Sequence, residues 1–551
     1  MKKLLLYFFT IKDLKIEQIL FRLYYKFFHS YLKNKALSHL NVTVPAKADL
    51  PTLKLHFIYE KYSIYEKGKF NILNIESSLK DSNQWNNKLM PKLWLYNLHY
   101  MSYLLSQKHL TENPETALEL IDRWIQENPK ASGNGWEPYT LSLRIVNWIK
   151  FDLFTGRLGE KEKYSIFQQS IYLSYFLEKH LLGNHYFENL KTLLISGLYF
   201  NKEKAGKKFY EPALSEFNRQ LEIQILSDGA HFELSPMYHA IILEGMLDLI
   251  NIHRTYQTSY PRTWDEKTQR MIRYLAGMIH PDKRISFFSD STFKVSKDPS
   301  EILGYASNLG FQTDFSAEKN MAFENAGYYK FSNHHFFFII DAGGVSPTYL
   351  PGHAHADNLS FEISIMKRRF FVNSGISTYE TNELRNLQRK TKLHNTVELN
   401  GKDQSEVWGA FRVARKAVCC DVKIKYLPEK IEFSAKHDKV KSFFKKPIHQ
   451  RKVQIFEKAI NIKDSFLYGE NGNAISYFYL HPEVSITVEN NLIILKRDDV
   501  TASFESSSEN VEIFDSKFYP EYNKEVPNKA IMIKSKMNTK NELNIVISLL
   551  S

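Results

Sequence analysis

The chain lacks the features that define several protein classes. Only two cysteines occur among its 551 residues, and they are neighbours, Cys419 and Cys420. Adjacent cysteines rarely close a relaxed disulfide, and two thiols alone do not form a zinc site, so neither a disulfide framework nor a thiolate metal site is expected. The sequence also has no arginine-rich tail, zinc-finger spacing or Gly-Lys-Ser/Thr phosphate loop, so it does not indicate nucleic-acid binding.

Long apolar runs are absent as well. No stretch of about 18 apolar residues occurs, so stable membrane insertion is not expected. The first residues, MKKLLLYFFT, begin like a signal peptide, but Lys12 and Asp13 interrupt the apolar stretch and no small-residue cleavage site follows. Several of the next apolar residues share one helical face: Ile16, Ile19, Leu20, Leu23 and Phe27. We interpret residues 1–45 as an amphipathic helical segment of the fold, with an export or membrane-surface signal as the alternative.

The composition is that of a globular protein with a basic bias. Hydrophobic residues make up 43% and charged residues 24% of the chain, which excludes a disordered polypeptide. The net charge of +12 favours an anionic partner. Aromatic residues reach 14%, which is typical either of a large core or of surfaces that stack on sugar rings.

The periodicity of apolar residues changes along the chain. From about residue 85 to 310 it is helical, with short Gly- or Pro-marked connections, and it predicts a helical bundle, solenoid or toroid. After about residue 325 the period becomes two, as in Phe361, Ile363 and Ile365, and predicts a large antiparallel sandwich. We place the boundary between Pro299 and Ala326 and expect ligand binding where the two halves meet.

Three polar segments are candidates for chemistry. Asn184 and His185 lie between two predicted helices, where helix capping is the structural alternative. Glu233, Tyr238 and His239 belong to the second segment, DGAHFELSPMYH, which opens an apolar helix. The third, GHAHADN, contains two histidines that would point to one face if the following strand reached back to them. His-x-His beside an aspartate is a common arrangement for metal binding or paired acid/base work.

The helical half also contains aromatic clusters. Trp136, Tyr139 and Arg144 belong to one of them. Core packing is the simpler interpretation. The functional interpretation is a saccharide channel, in which the rings stack on pyranose faces and Arg144 pairs with a carboxylate.

In their order and approximate spacing, these segments resemble the heparinase II/III-like polysaccharide lyases. The segments that carry the resemblance are WLYNLHYMSYLL, GWEPYTLSLRIVNW, GNHYFEN, DGAHFELSPMYH, PGHAHADNLSF, FFVNSGISTY, LHNTVELNGKDQSEVW and HQRKVQIFEKAINIKD. The resemblance implies a multidomain α+β fold, an incomplete α/α toroid over residues 46–320 followed by an antiparallel β-sandwich over 321–551, with the active site between them.

The resemblance further implies β-elimination on a uronic-acid-containing polysaccharide, in which the C5 proton is removed, the bond from C4 to the glycosidic oxygen breaks and an unsaturated sugar results. Asn184 and His185 would hold and neutralise the uronate carboxylate. Tyr238 and His353 would act as acid and base, the assignment depending on the C5 epimer. Trp136, Tyr139, Arg144, Glu233 and His239 are the candidate substrate-binding residues.

Members of that family also hold a metal through a histidine pair and an acidic residue. His355 and His394 match the histidines, but Asn373 stands where the acidic residue is expected, and asparagine is a poorer zinc ligand than a carboxylate. The resemblance thus implies at most one structural divalent ion, zinc or calcium, and an anionic polysaccharide as the partner.

Two other functions stay open at this point. A glycoside hydrolase of the same architecture would use paired carboxylates such as Asp228 and Glu233. A non-catalytic or biosynthetic protein of surface-polysaccharide assembly would bind the glycan without cleaving it. The sequence identifies neither the glycan nor endo or exo action nor the oligomeric state. The resemblance favours the periplasm, whereas the absence of a convincing signal peptide favours the cytoplasmic side.

Overall fold

The computed structural model describes residues 2–40, 50–51, 55–201, 204–438, 448–467, 472–489, 492–537 and 542–551. Its first part is helical and its second part is built of antiparallel strands, so the predicted fold class is confirmed. The predicted boundary at residue 45 lies outside the described residues. The other predicted boundary, at residue 320, directly precedes the first strand of the sandwich, which begins at Met321.

The helices of the first domain are marked in the sequence by residues typical of helix ends as well as by apolar periodicity. Proline occupies the first turn of four helices, where its missing N–H costs nothing. The helices are α1 (Lys2–Ile11), α2 (Ile16–Leu40), α3 (Lys92–Tyr100), α4 (Pro114–Glu127), α5 (Pro138–Thr155), α6 (Glu160–Tyr175), α7 (Gly183–Tyr199), α8 (Lys204–Gln224), α9 (Pro236–Thr255), α10 (Arg262–Gly277) and α11 (Pro299–Asn308). A small sheet between α2 and α3, which the sequence did not predict, contains β1 (Ile64–Glu66), β2 (Lys69–Ile72) and β3 (Ile75–Ser78).

Helix α7 is the centre of the helical domain. All of its residues except His185 are buried, so it is apolar or internally hydrogen-bonded on every side. It contacts α5, α6, α8 and α9. Since His185 is the one partly exposed residue of α7, this central helix presents that imidazole at its first turn.

The sandwich contains β4 (Met321–Phe323), β5 (Tyr328–Ser332), β6 (Phe336–Asp341), β7 (Phe361–Ile365), β8 (Arg368–Phe371), the short helix α12 (Glu383–Gln388), β9 (Val397–Leu399), β10 (Val407–Trp408), β11 (Arg412–Val413), β12 (Val418–Tyr426), β13 (Ile431–Asp438), β14 (Ile448–Ile455), β15 (Ala459–Leu467), β16 (Gly472–Tyr479), β17 (Ser485–Glu489), β18 (Leu492–Arg497), β19 (Val500–Ser506), β20 (Val511–Glu521), β21 (Lys524–Met537) and β22 (Glu542–Leu549).

These strands form three main sheets. One has five strands in the order β4-β5-β6-β7-β8, and another has four in the order β20-β21-β16-β9. The third has eight strands in the order β12-β13-β14-β15-β22-β19-β18-β17, while β10 and β11 form a separate hairpin. The three main sheets contribute to one apolar core, through residues such as Phe361, Phe478 and Ile545.

The outer face of the five-stranded sheet is covered at two polar residues of β7. Glu362 and Ser364 are both fully buried. His280, which follows α10, contacts the Glu362 carboxylate through Nε2 at 2.9 Å and the Ser364 hydroxyl through Nδ1 at 2.8 Å. The polar face of β7 therefore joins the sandwich to the segment that follows α10 of the helical domain.

One glycine permits close packing of α7 against α8. A Cβ at Gly197 would lie 2.7 Å from the Cβ of Tyr210, whereas Gly304 in α11 has open space around it. We expect Gly197→Ala to destabilise the protein by about 1–3 kcal/mol through overpacking. The matched Gly304→Ala should be neutral or stabilising by up to about 1 kcal/mol because alanine is the better helix former. Thermal unfolding of both variants checks this, and equal melting temperatures would contradict it.

Candidate active site

A cleft of about 470 Å³ lies between the helical domain and the sandwich. Asn184, His185 and Tyr238 reach it from the helical side, and His353 and Tyr379 reach it from the sandwich side. The four predicted catalytic residues thus meet in one place, although up to 169 positions separate them in the chain (353 minus 184).

Asn184 is held rigidly at the start of α7 by a buried carboxylate. Glu233 accepts a hydrogen bond from the Asn184 backbone N–H at 2.9 Å and from its side-chain Nδ2 at 2.9 and 3.1 Å. The preceding Gly183 has a φ of +58°, and a Cβ there would lie 2.3 Å from the Glu233 carboxylate. Only glycine allows the backbone to come this close to the Glu233 carboxylate, so Gly183 is needed to place the side-chain amide of Asn184.

His185 is the cleft imidazole whose surroundings favour its protonated form. Its Nδ1 contacts the Glu178 carboxylate at 3.0 Å, and its ring packs on Tyr139 with centroids 4.3 Å apart. Burial by itself lowers the pKa of His185, but the charge and hydrogen bond of Glu178, with the charge of Glu233, outweigh burial and raise it above its usual value. The imidazole is therefore suited to pairing with an anion.

Tyr238 lies in the first turn of α9, where a cap fixes its position. The Ser235 hydroxyl accepts the Tyr238 N–H at 3.1 Å and donates to the Asp290 carbonyl at 2.6 Å. The Tyr238 hydroxyl lies 3.1 Å from that of Tyr379. Burial raises the pKa of Tyr238 well above its usual value, so the phenol stays protonated and is a proton donor at neutral pH.

His353 stacks on Tyr238 and is oriented by Asp290. The two ring centroids are 3.9 Å apart, and His353 Nδ1 lies 2.8 Å from Asp290 Oδ2. With its Nδ1–H donated to this carboxylate, the imidazole presents Nε2 as the free nitrogen. Nε2 lies 3.6 Å from Glu233, so the group that holds Asn184 also lies beside His353.

Asp290 and Arg385 are two of the site residues that the sequence did not predict. Asp290 also contacts His355 Nε2 at 2.8 Å and accepts two hydrogen bonds from the Arg385 guanidinium. Burial by itself raises the pKa of Asp290, but the Arg385 charge and the two histidine hydrogen bonds outweigh it and hold that pKa well below the usual range. Neither residue lies in a motif or on a periodic face that would have singled it out.

A histidine and carboxylate group suited to a metal lies behind His353. His355, Asp357 and His394 offer ligand atoms within 4.8 Å of one another, and His355 Nδ1 is 3.2 Å from His394 Nε2. Asn373, which the resemblance places at the acidic position of this group, has other hydrogen-bond partners. Asn373 instead accepts the Asn395 backbone N–H and lies near Ser360, and Asp357, two residues after His355, supplies the carboxylate.

Histidines 353 and 355 converge for a different reason from the one expected. The strand does not reach back to them, because β7 begins only at Phe361. They share the two oxygens of one carboxylate, Asp290, instead of one face of a sheet.

Three predicted substrate-binding residues lie in the core instead of the cleft. Arg144 is fully buried, donates to Gln169 and two backbone carbonyls, and stacks on Trp124. Trp136 packs beside it, and His239 hydrogen-bonds the Met271 carbonyl. The polar groups of Arg144 and His239 are hydrogen-bonded within the fold, whereas the indole N–H of Trp136 has no hydrogen-bond partner among the described residues. None of the three lines the cleft. Tyr139 lines the cleft.

Within the described part of the chain, every helix is too short or too polar to cross a membrane.

The family model described as Heparinase II/III N-terminus matches residues 8–309, and that described as Heparinase II/III-like, C-terminal, matches residues 317–546. The heparin-sulfate lyase of Pedobacter heparinus is 26% identical over 340 residues, which are 54% of this chain and 50% of that protein. The heparin-sulfate lyase of Bacteroides thetaiotaomicron is 25% identical over 452 residues, 68% of this chain and 62% of that protein.

The chain spans about half of the length of the first of these relatives and less than two thirds of the second. Among solved structures, heparinase III superposes with a TM-score of 0.73 at 16% identity, covering 96% of this chain and 90% of that one. The chondroitin AC lyase of Streptomyces coelicolor superposes with a TM-score of 0.52 at 8% identity, covering 82% and 74%. These similarities show the α/α toroid and sandwich architecture. Because the two family models together cover nearly the whole sequence, the chain belongs to the heparinase II/III family.

Proposed function

We propose that the protein is a polysaccharide lyase that cleaves a uronic-acid-containing polymer by β-elimination. The observation that carries this proposal is the stacked pair of Tyr238 and His353, which places a protonated phenol and an imidazole nitrogen within reach of one sugar ring. Asn184 and His185 stand beside this pair in the same cleft. The names of the two relatives as heparin-sulfate lyases support the same reaction class.

The first requirement of the reaction is to make the C5 proton acidic. The proton lies next to the uronate carboxylate, and its removal pushes charge onto the carboxylate oxygens. The cationic His185, packed on Tyr139 and held by Glu178, would pair with that carboxylate, and the fixed Asn184 amide would orient it.

The second requirement is a base and an acid at the C5–C4 bond. His353 Nε2 would take the C5 proton while its Nδ1–H stays on Asp290. Tyr238 would donate its hydroxyl proton to the glycosidic oxygen as the C4–O bond breaks and the C4–C5 double bond forms. The acid step uses the protonated form of Tyr238, which burial favours.

The hydrolase alternative receives no support from its two carboxylates. Asp228 accepts hydrogen bonds from the backbone of Ala230 and Ala326 in a turn, and Glu233 is engaged by Asn184. A hydrolytic pair would have to flank the scissile bond with both carboxylates facing it.

Two substitutions test the acid/base pair. Tyr238→Phe removes the hydroxyl and His353→Ala removes the imidazole, and each should lower the rate of unsaturated-product formation by about 10²–10⁴-fold. The rate is the rise of ultraviolet absorbance with a panel of uronate polymers. The matched control is Tyr172→Phe, a buried tyrosine of α6 outside the cleft, which should leave the rate unchanged.

Two results would contradict this account. Reducing ends that appear without ultraviolet absorbance would indicate hydrolysis. Glycan binding that survives in Tyr238→Phe, with no turnover by the parent chain, would indicate a binding protein.

We further propose that His355, Asp357 and His394 hold one structural divalent ion. Burial and the neighbouring imidazole lower the pKa of His394, so its ring is neutral and has one unprotonated nitrogen for a metal. His394 Nε2 and His355 Nδ1 lie 3.2 Å apart. Two imidazoles and a carboxylate favour zinc over calcium, which prefers oxygen ligands. The ion would hold the segment that carries His353 in place, because its ligand His355 is two residues away.

Elemental analysis of the purified chain checks the metal proposal. We expect about one zinc per chain, loss of the metal in Asp357→Ala and His394→Ala, and a lower melting temperature after chelation. The control Asn373→Ala should keep its metal. A chain that binds no metal and does not respond to a chelator would contradict the proposal.

A further inference from the structure

The cleft does not share the positive charge of the whole chain. Its lysines in the described residues are Lys92, Lys150, Lys191, Lys294 and Lys297. Its carboxylates there are Glu60, Glu188, Glu244, Asp248, Glu380 and Glu521. No arginine lines the cleft in the part of the chain that the structure describes. The excess positive charge of the chain, +12 in all, therefore lies outside the cleft.

Each of these lysines already has a carboxylate partner. Two pairs are buried, Lys150 with Asp248 at 2.7 Å and Lys191 with Glu188 at 2.6 Å. The remaining pairs are Lys297–Glu60, Lys294–Glu521 and Lys92–Glu137, at 2.7, 2.9 and 3.3 Å. A buried lysine is costly to separate from its carboxylate, so Lys150, Lys191 and Lys297 are not available to a ligand's anions. Lys92 and Lys294 are more exposed, by 61 and 45%, but each already shares its charge with a carboxylate.

The rest of the lining suits uncharged sugar groups. Tyr96, Tyr100 and Tyr139 form an aromatic wall, and Asn97 and Asn147 add amides. Phenols and amides stack on pyranose faces and hydrogen-bond hydroxyl or acetamido groups. Sulfate, by contrast, is best recognised by free arginine and lysine side chains.

Resting on the proposed lyase function, we propose that the substrate carries its negative charge on uronate carboxylates and bears few or no sulfate groups near the cleaved bond. The cationic His185 would meet one carboxylate at the reacting sugar. Sulfates on the neighbouring sugars would meet the carboxylate of Glu380 and lysines that are already paired with carboxylates, with no arginine in the described lining to bind them.

The test uses matched polymers that differ only in sulfation: unsulfated and O-sulfated chondroitin, and the unsulfated backbone of heparan sulfate beside heparan sulfate itself. We expect kcat/KM for the unsulfated member to exceed that of the sulfated member at least tenfold in whichever pair is cleaved. Equal or faster cleavage of the sulfated member would overturn the inference and leave the lyase function standing.

Binding separates this inference from the lyase proposal. If no polymer is cleaved, the affinity of the Tyr238→Phe variant is measured for fluorescent oligosaccharides of each pair. Equal or tighter binding of the sulfated oligosaccharide would overturn the inference. Failure to bind either oligosaccharide would overturn it as well. Glu380→Gln at the cleft rim should reduce the preference for the unsulfated over the sulfated form severalfold. Glu383→Gln, an exposed carboxylate three residues on and outside the cleft lining, should not change it.

A second inference concerns α1 and α2, where most of the exposed large apolar side chains of the described chain lie. On α2 they recur at helical spacing and form one face, which includes Ile16, Leu20, Phe27 and Tyr31, exposed by 75, 59, 73 and 61%. The opposite side of α2 is anchored on the helical domain through Leu32, Ala36 and Leu40.

The charges around this face have one sign. Residues 18–40 contain no acidic residue, and the two acids before them point to the protein, Asp13 to Lys416 and Glu17 to Arg219. No described carboxylate lies within ion-pairing distance of Lys26, Lys33 or Lys35. An apolar, aromatic face beside unpaired lysines is typical of a helix that lies in an anionic lipid interface.

We propose that the apolar face of α2 docks on an anionic membrane surface. Sedimentation with phosphatidylglycerol vesicles should pellet the chain at low salt, and phosphatidylcholine vesicles should not. Leu20→Glu/Phe27→Glu should abolish pelleting without lowering the melting temperature, while the control Tyr426→Glu/Leu427→Glu, exposed in the sandwich, should still pellet.

Failure of the parent chain to pellet, or equal pelleting of the two double variants, would overturn the proposal. A dimer that Leu20→Glu/Phe27→Glu converts to a monomer, without vesicle binding, would identify a second copy as the occupant instead.

Discussion

The shared carboxylate of Asp290 is the interaction on which the cleft depends. It orients His353, contacts His355 in the candidate metal group, and is neutralised by Arg385. The Asp290 backbone is engaged as well, since its carbonyl accepts from the cap of α9 and its N–H donates to the His353 carbonyl. One residue thus joins the helix that carries Tyr238 to the sandwich segment that carries both histidines. A fully buried charge of this kind persists only because every oxygen is paired, so the geometry is stiff.

The motifs predicted the residues that face the cleft but not those that support them. Tyr238, His353 and Asn184 lie in segments dense with polar groups at helix starts and loops, and that density is visible in the sequence. Asp290 and Arg385 act through partners that are distant in the chain, which periodicity does not report. Asn373 was predicted from its matching position in the chain, and the resemblance did not point to Asp357, whose carboxylate lies with the two histidines.

Burial explains the other differences between sequence and structure. The alternating pattern of β7 correctly predicts a strand, but period two reports that residues face opposite sides and does not report what covers each side. Glu362 and Ser364 are covered by His280 from the other domain. Arg144 similarly has the chemistry of a carboxylate ligand, and its donors are taken by the core. Net charge misleads in the same way, because the cleft is charge-balanced in a basic chain.

The central claim is that the C4–O bond is broken by elimination and not by water. Digestion of a cleaved uronate polymer in ¹⁸O-labelled water, followed by mass spectrometry of the fragments, tests it most directly. Elimination predicts unlabelled fragments whose new non-reducing ends are one water lighter than hydrolysis products. Incorporation of one labelled oxygen per cleavage would show that water attacks the glycosidic bond, and the roles assigned to Tyr238 and His353 would then be wrong.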